Sequence, residues 1–248
     1  LESSLPVWLA SGNEYRLDNN FVSPAAYAAR EQLLMLESKG IGTVVNLGNL
    51  LSKKPTPGVS PVKDGLAPLI EGANLRPNCL YPRFSKYADP IEDGVRIWDL
   101  FITKDGEPGT VAVVTDHLLE RVPTFVWGNH VYLLRLKREW GSLACYVCAF
   151  LNSRIGQALV RKTIAGGTTP TIRKDDLTEV PIFIPQDNKS IADATVHVRQ
   201  LQLAVLETVT NLAPSQSLTD GLGLKAPTSR LPINWAGGGR SDPHNYDR

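Results

Sequence analysis

Residues 99–114 read DLFITKDGEPGTVAVV, and this stretch decides the fold prediction. An apolar run ends at Thr103, a loop of charged residues, glycine and proline follows at 104–109, and a second apolar run begins at Thr110. Two β-like runs joined by a short glycine-containing loop are typical of a β-hairpin. We therefore predict a hairpin whose first strand begins near Gly94.

Upstream of the hairpin, a helix is predicted over residues 23–39, where a serine and a proline provide the start signals and a glycine follows the end. Short strand-like runs follow at 43–48 and 66–70. The segment between them, at 53–58, contains two prolines and a glycine, and it predicts a loop with two exposed lysines.

Downstream, strands are predicted over 122–126 and 130–136, and the apolar character of the second favours a central position in a sheet. A helix is predicted over 142–164, because this stretch has no proline and its apolar residues recur at helical spacing. A loop at 166–170 ends that helix, and a short edge strand is predicted at 177–185, where it is interrupted by proline.

The last predicted helix covers residues 190–212, and its apolar residues alternate at steps of three and four. Two interpretations remain open: a coiled-coil spacer that mediates dimerisation, or an amphipathic helix that packs on its own domain. The seam residues are Ile191, Ala194, Val198, Leu201, Val205, Thr208 and Leu212. These patterns predict an α+β fold at 1–189, with a twisted mixed or antiparallel sheet and packed helices, then the helix at 190–212 and a Pro/Gly-rich tail or linker at 213–248.

The charge of the chain is unevenly distributed. The 248 residues carry a formal charge of +1, yet residues 129–174 contain eight basic residues and one acidic residue, or +7, which leaves −6 for the remainder. Such a basic stretch is typical of a surface that contacts phosphates. The alternative is a solvated helix face whose charges pair with acids elsewhere.

The sequence also bears on cellular context. It has no apolar run of about 18 residues and no signal peptide at its start, which argues against a membrane partner. An odd number of cysteines, three, fits a reducing compartment, so we expect a cytoplasmic location. The chain begins at Leu1 and its only methionine is Met35, so we expect one module of a larger polypeptide.

Signatures of catalysis are weak. Cys145 and Cys148 have C-x-x-C spacing, but they lie in an apolar helical run, so buried structural thiols are expected. The four histidines show no metal-binding spacing, and the common hydrolase, nucleotide-binding and amino-methylating motifs do not occur. Asp105 and Glu107 lie in the hairpin turn, where carboxylates are ordinarily solvated. We predict no catalytic residue, no metal and no cofactor.

An ordered set of short motifs extends beyond the hairpin. After DLFITKDGEPGTVAVV come NHVYLLRL at 129–136, AFLNSRIG at 149–156 and GGTTPTIRKDDLTEVPIFIP at 166–185, followed by the heptad helix. The segment EYRLDNNFVSP at 14–24 precedes the first helix. Over roughly residues 15–212, the sequence resembles the target-recognition domain of type I restriction-modification specificity subunits and the related domains fused to some adenine methyltransferases.

This resemblance implies a non-catalytic module that recognises one half of a bipartite double-stranded DNA site. It implies a spacer helix that pairs with a second recognition domain, in a homodimer or a tandem copy, and partners that include a DNA methyltransferase and restriction or translocase subunits. The chain departs from the family pattern because two recognition domains would need about twice its length. A half-subunit that dimerises and the recognition part of a fused methyltransferase both remain open.

Candidate DNA-binding residues lie on four loops. Lysine and arginine contact phosphates, and polar side chains on loops can reach base edges in the major groove. The candidates are Lys53, Lys54, Thr56, Arg76, Asn78, Arg83, Lys104, Gly167, Thr168, Thr169, Arg173 and Lys174. The alternative function is a protein-interaction or scaffold module that uses the 190–212 helix and has no DNA specificity of its own.

Overall fold

A computed structural model describes residues 23–166 and 168–211. The lead-in before Ser23, Gly167 and the tail predicted at 213–248 lie outside the described residues. The helices within the described ranges are α1 Pro24–Ser38, α2 Leu47–Leu50, α3 Asp116–Arg121, α4 Ala144–Asn152, α5 Arg154–Arg161, α6 Lys174–Thr178 and α7 Asn188–Asn211. The strands are β1 Gly42–Asn46, β2 Thr56–Pro57, β3 Ala67–Ile70, β4 Leu75–Arg76, β5 Cys79–Leu80, β6 Tyr87–Ala88, β7 Leu100–Thr103, β8 Val111–Val113, β9 Val126–Trp127, β10 Val131–Leu134, β11 Ile164–Ala165, β12 Thr171–Ile172 and β13 Pro181–Pro185.

The predicted hairpin forms the centre of the fold. In the described part of the chain, β2, β10, β7 and β8 form a four-stranded antiparallel sheet in that order. Thr103 lies opposite Val131 at one end of the sheet, and Leu100 lies opposite Leu134 and Val113 at the other. The prediction that residues 130–136 supply a central strand is confirmed.

The sheet separates two hydrophobic clusters. Every residue of β7, β8 and β10 is buried, and alternate residues contact opposite sides because side chains along a strand point to opposite faces. Leu100, Ile102, Val111, Val113, Tyr132 and Leu134 join the cluster formed with α1, α4 and α5. Phe101, Ala112, Val131 and Leu133 join the cluster formed with β3, β5, α3 and β9.

Smaller sheets surround this centre. β1 pairs with β13 along five residues, and the hairpins β4–β5 and β11–β12 are antiparallel. β3 lies between β6, to which it is antiparallel, and β9, to which it is parallel. The prediction of an α+β fold with mixed sheets is confirmed.

Several predicted boundaries are wrong. The helix expected over 142–164 is two helices, because Ser153 leaves the helical conformation and its hydroxyl accepts a hydrogen bond from the Gly156 amide. The strand expected from Gly94 begins only at Leu100, and Trp98 has a left-handed φ of 70° that interrupts extended backbone. The strand expected at 122–126 overlaps only the first residue of β9, because α3 ends at Arg121 and residues 122–125 form an irregular connection.

The last helix lies on its own domain. Its buried positions are Val198, Gln202, Leu206 and Val209, at steps of four, four and three, which is the pattern of a helix that packs on one surface. The Gln202 amide is fully buried, where it accepts from the Leu80 amide and donates to the Leu80 carbonyl, both at 2.9 Å. The predicted seam coincides with this buried stripe only at Val198, whereas Thr208 is exposed and Leu212 lies outside the described residues.

Among the described helices, none is individually long and apolar enough to cross a membrane. One pair meets the length and composition criteria only when taken together: the 3-10 helix Arg138–Leu143 continued by α4, with α5, which are bent by 76° at the break between them.

Candidate nucleic-acid interface

Two of the predicted DNA-binding loops meet where the hairpin turns, and the Lys54 side chain of a third contacts α6 beside them. The Ile172 amide donates to the Lys104 carbonyl at 2.8 Å, and Asp105 forms a β-bridge with Thr171. The hairpin turn and β12 are therefore adjacent, and α6 begins two residues after β12. We define the hairpin-end surface as Lys54, Lys104, His130, Thr168, Thr169, Arg173 and Lys174.

Lys104 is the least exposed cation of this surface. Its Nζ donates to the Asn129 carbonyl at 3.0 Å, lies 3.6 Å from the Asp105 carboxylate and lies over the Tyr132 ring at 5.8 Å from the centroid. Burial, together with the Asp105 and Asp175 carboxylates, raises the pKa of Tyr132. Lys104 is thus held in a defined position, as a cation that contacts a phosphate in a fixed register must be.

Asp105 is not the solvated turn carboxylate that the sequence predicted. Its side chain is only 16% exposed, and Oδ1 lies 2.7 Å from Nδ1 of His130. His130 directly precedes β10, and the pairing of Thr103 with Val131 brings the two side chains together. His130 was missed because the strand register that places it beside the turn depends on contacts between distant residues.

The remaining residues of the hairpin-end surface are exposed. Thr168 and Thr169 are exposed in the loop that follows Gly166, and Arg173 and Lys174 are exposed where α6 begins. Gly166 has a φ of 93°, a left-handed conformation that favours glycine. Hydroxyls and cations therefore reach solvent from the same short segment.

The loop predicted at 53–56 is divided between two locations. Lys54 lies 2.9 Å from the Asp175 carboxylate at the start of α6, whereas Lys53 lies 2.7 Å from Asp93. Thr56 is part of β2 rather than a loop, because it pairs with the central strand, and its carbonyl accepts from the Trp127 indole at 3.1 Å. Lys54 alone of these three contacts α6.

Arg76, Asn78 and Arg83 lie around the β4–β5 hairpin, apart from the segments that meet at the hairpin turn. The Arg76 guanidinium donates to the Ala73 and Leu75 carbonyls and lies 5.5 Å from the centroid of the Tyr81 ring. Asn78 has a left-handed φ of 72°, and its side-chain oxygen accepts from Asn152 at 2.8 Å. Arg83 is exposed. Asn78 thus joins β5 to α4, which leaves the two arginines as the exposed members of this group.

The basic stretch at 129–174 does not form one surface. Arg135 is buried, and its guanidinium donates to Asp99 at 2.7 and 2.8 Å and to Asp93 at 2.5 Å. These hydrogen bonds raise the pKa of Arg135, and hydrogen bonds from Lys53 and Arg135 lower the pKa of Asp93. The charge count of residues 129–174 included Arg135 in a DNA-binding surface, but its contacts with Asp99 and Asp93 make it part of the interior.

The cysteines have the predicted structural role. Cys79, Cys145 and Cys148 are buried and free, and burial raises the pKa of Cys145 to about 11. A reactive cysteine requires an accessible thiolate, which burial disfavours. The C-x-x-C pair is therefore part of the packing of α4.

The chain was compared with known proteins. No protein-family model matches it, and no curated protein matches it. It is similar to the crystal structure of the type I restriction-modification system S subunit from M. genitalium, with 18% identity and a TM-score of 0.47 over 72% of this chain and 44% of that chain.

Two further solved structures are similar. One, from work on complex assembly and conformational transition of the type I R-M system, has 18% identity and a TM-score of 0.43 over 74% of this chain and 49% of that chain. The other, the HsdS subunit from Thermoanaerobacter tengcongensis, has 16% identity and a TM-score of 0.40 over 81% of this chain and 50% of that chain. The chain matches about half the length of these structures, which belong to the family that the sequence motifs resemble.

Proposed function

We propose that this chain is a sequence-specific double-stranded DNA recognition module that supplies the target specificity of a restriction-modification system. The observation that carries the proposal is the hairpin-end surface, where side chains from three separate segments bring cations and hydroxyls together around the hairpin turn and α6. Loops on a rigid scaffold are the usual location of binding residues.

The two kinds of contact in DNA recognition are assigned to different residues. Lys54, Lys104, Arg173 and Lys174 contact phosphates and fix the register of the duplex, as cations generally do. Thr168 and Thr169 extend from the exposed segment before β12, and they are the candidates for contacts with base edges. Arg76 and Arg83 form a second, separate contact with the DNA backbone.

The module itself is non-catalytic, and the chemistry belongs to partners. One copy recognises one half of a bipartite site, and α7 connects it to a second recognition domain in a homodimer or a tandem copy. A DNA methyltransferase and restriction or translocase subunits complete the system. This part of the proposal rests on the resemblance of the ordered sequence motifs to specificity subunits.

Selection from a pool of duplexes with a randomised centre tests the proposal. We expect the full 248-residue chain to enrich one short sequence, with an affinity that falls as salt concentration rises. Binding without enrichment would show a non-specific DNA-binding protein, and the absence of binding would refute a DNA partner. Enrichment of two blocks at fixed spacing would show that two copies bind together.

A second candidate function, a protein-interaction module, is favoured by the outer face of α7. Val196 and Leu203 are exposed large apolar residues, at 54% and 38%, and they are seven residues apart, the spacing of a coiled-coil seam. The double variant Val196→Lys/Leu203→Lys tests this function by sedimentation and by DNA binding, with Leu66→Lys as the control at another exposed apolar position. Loss of assembly with unchanged DNA binding would show that the two functions are separate.

A further inference from the structure

Among the described candidate residues, four cations are each matched to an aspartate within 4 Å. The pairs are Lys53–Asp93 at 2.7 Å, Lys54–Asp175 at 2.9 Å, Lys104–Asp105 at 3.6 Å and Arg173–Asp176 at 3.7 Å. The first two pairs depend on the folded chain, because they join residues separated by 40 and 121 positions, whereas the other two join near neighbours in sequence.

We propose that these aspartates are specificity-determining residues, because they occupy the cations in the free protein and DNA phosphates must compete with them. The inference rests on the proposed function. Its consequence is a low affinity for DNA of random sequence, whereas the correct sequence adds contacts with the bases that stabilise the bound state.

Phosphate contacts and the release of condensed counterions supply essentially all of the non-specific affinity of a protein for DNA. A lysine that already contacts a carboxylate loses that contact when it binds a phosphate, and the carboxylate then lies beside the phosphate as a like charge. An aspartate next to each cation therefore weakens the sequence-independent contribution and leaves the contacts with the bases unchanged.

Asp175 is the clearest case. Its side chain is 68% exposed and that of Lys54 is 73% exposed, so both ends of the pair face solvent, from which DNA approaches. The hydrogen bond from Lys54, with smaller contributions from Lys174 and Arg173, lowers the pKa of Asp175, so the carboxylate remains ionised at neutral pH. Asp93 is less suitable for a test because it also binds the buried Arg135.

The variant Asp175→Asn tests the inference in the full chain. We expect its affinity for a random-sequence duplex to rise by about two- to fivefold, the range for one exposed ion pair. We expect the affinity for the selected target to rise less, so that discrimination between the two duplexes falls. The salt dependence should steepen by up to about one phosphate contact.

A role for Asp175 in positioning Lys54 would change DNA affinity in the opposite direction. If the carboxylate only positions Lys54, Asp175→Asn will weaken binding to both duplexes, and either that result or unchanged affinity overturns the inference. Asp193→Asn makes the same charge change at an exposed position on α7, and an equal rise in that variant would also overturn it. The double variant Lys54→Gln/Asp175→Asn should lose most of the gain, because the released cation is missing.

Two further measurements keep the outcomes distinct. Thermal unfolding of Asp175→Asn verifies that the variant is folded, and Asp176→Asn provides an independent variant that removes the carboxylate 3.7 Å from Arg173. A wild-type chain that binds no DNA refutes the proposed function and the inference with it. A wild-type chain that binds DNA beside an Asp175→Asn variant that behaves identically refutes the inference alone.

Discussion

Two groups of ion pairs beside the central sheet, one buried and one exposed, place cations beside aspartates with different consequences. At the end marked by Leu100 and Leu134, the side chains of Arg135 and Asp99 are 10% and 2% exposed. Near the hairpin-end surface, the side chains of Lys54 and Asp175 are 73% and 68% exposed. In a buried pair, each ion has lost its hydration and is destabilised when its partner is removed. In an exposed pair, the cation can exchange its carboxylate for another anion at little cost.

The largest expected effect is on stability, when the buried Arg135–Asp99 pair is broken. Arg135→Met leaves the Asp99 carboxylate in the interior without its guanidinium, and removing one partner of a buried pair typically costs about 3–5 kcal/mol of stability. Urea unfolding measures the loss. A loss of stability below about 1 kcal/mol would mean that the buried pair contributes no more than an exposed ion pair.

The next largest effect is on DNA binding by the hairpin-end surface. We expect Lys54→Gln/Arg173→Gln/Lys174→Gln to lower the affinity for duplex DNA by about ten- to hundredfold at low salt and to reduce the salt dependence by up to about three contacts. Fluorescence anisotropy at two salt concentrations measures both quantities. Lys63→Gln, at an exposed lysine in another loop, is the control and should have little effect.

A third test uses acid. Because the pKa of Asp93 is lower in the folded chain than in the unfolded chain, its contribution to stability is present above the unfolded pKa of about 4 and is lost as pH falls toward the folded pKa. We expect unfolding midpoints in urea to fall between pH 5 and pH 3, and to fall less in Asp93→Asn. Identical pH profiles for the two proteins would contradict the lowered pKa of Asp93, which its hydrogen bonds from Lys53 and Arg135 produce.

The smallest effect is on stability, when the exposed Lys54–Asp175 pair is broken. Lys54→Gln breaks one surface ion pair, which is typically worth about 0–1 kcal/mol. We therefore expect a melting temperature within a few degrees of the wild-type value by differential scanning calorimetry. A large drop would show that the Lys54–Asp175 contact supports the fold and does not exchange freely.

Local patterns predicted much of the fold. The hairpin at 99–114, the central position of the next strand and the first and last helices follow from apolar periodicity, glycine position and helix-end signals, all of which act within a few residues. The break between α4 and α5 could not be predicted in this way, because it depends on a close approach between two backbone segments. A Cβ on Gly156 would come within 2.0 Å of the Phe150 carbonyl oxygen, so the bend and the glycine are matched.

The candidate site was less predictable than the fold. Loop chemistry identified Lys104, Arg173 and Lys174 as candidates, and the structure brings their segments together. It did not separate Arg135 from the exposed cations, because the Asp99 partner is 36 residues away in sequence. Asn78 was chosen as a base-contacting residue, yet a left-handed backbone and its bond to Asn152 give it a role in packing.

The buried Gln202 amide has a consequence for anything attached to the far end of α7. Its two bonds to Leu80 fix both the rotation of the helix about its axis and its position along it, since a slip of one residue would break both. A helix of 24 residues is about 36 Å long, and its buried residues extend from Val198 to Val209, so the second half of the helix is held against the domain. The position and the rotation of its last turn are therefore set by the same packing that builds the core.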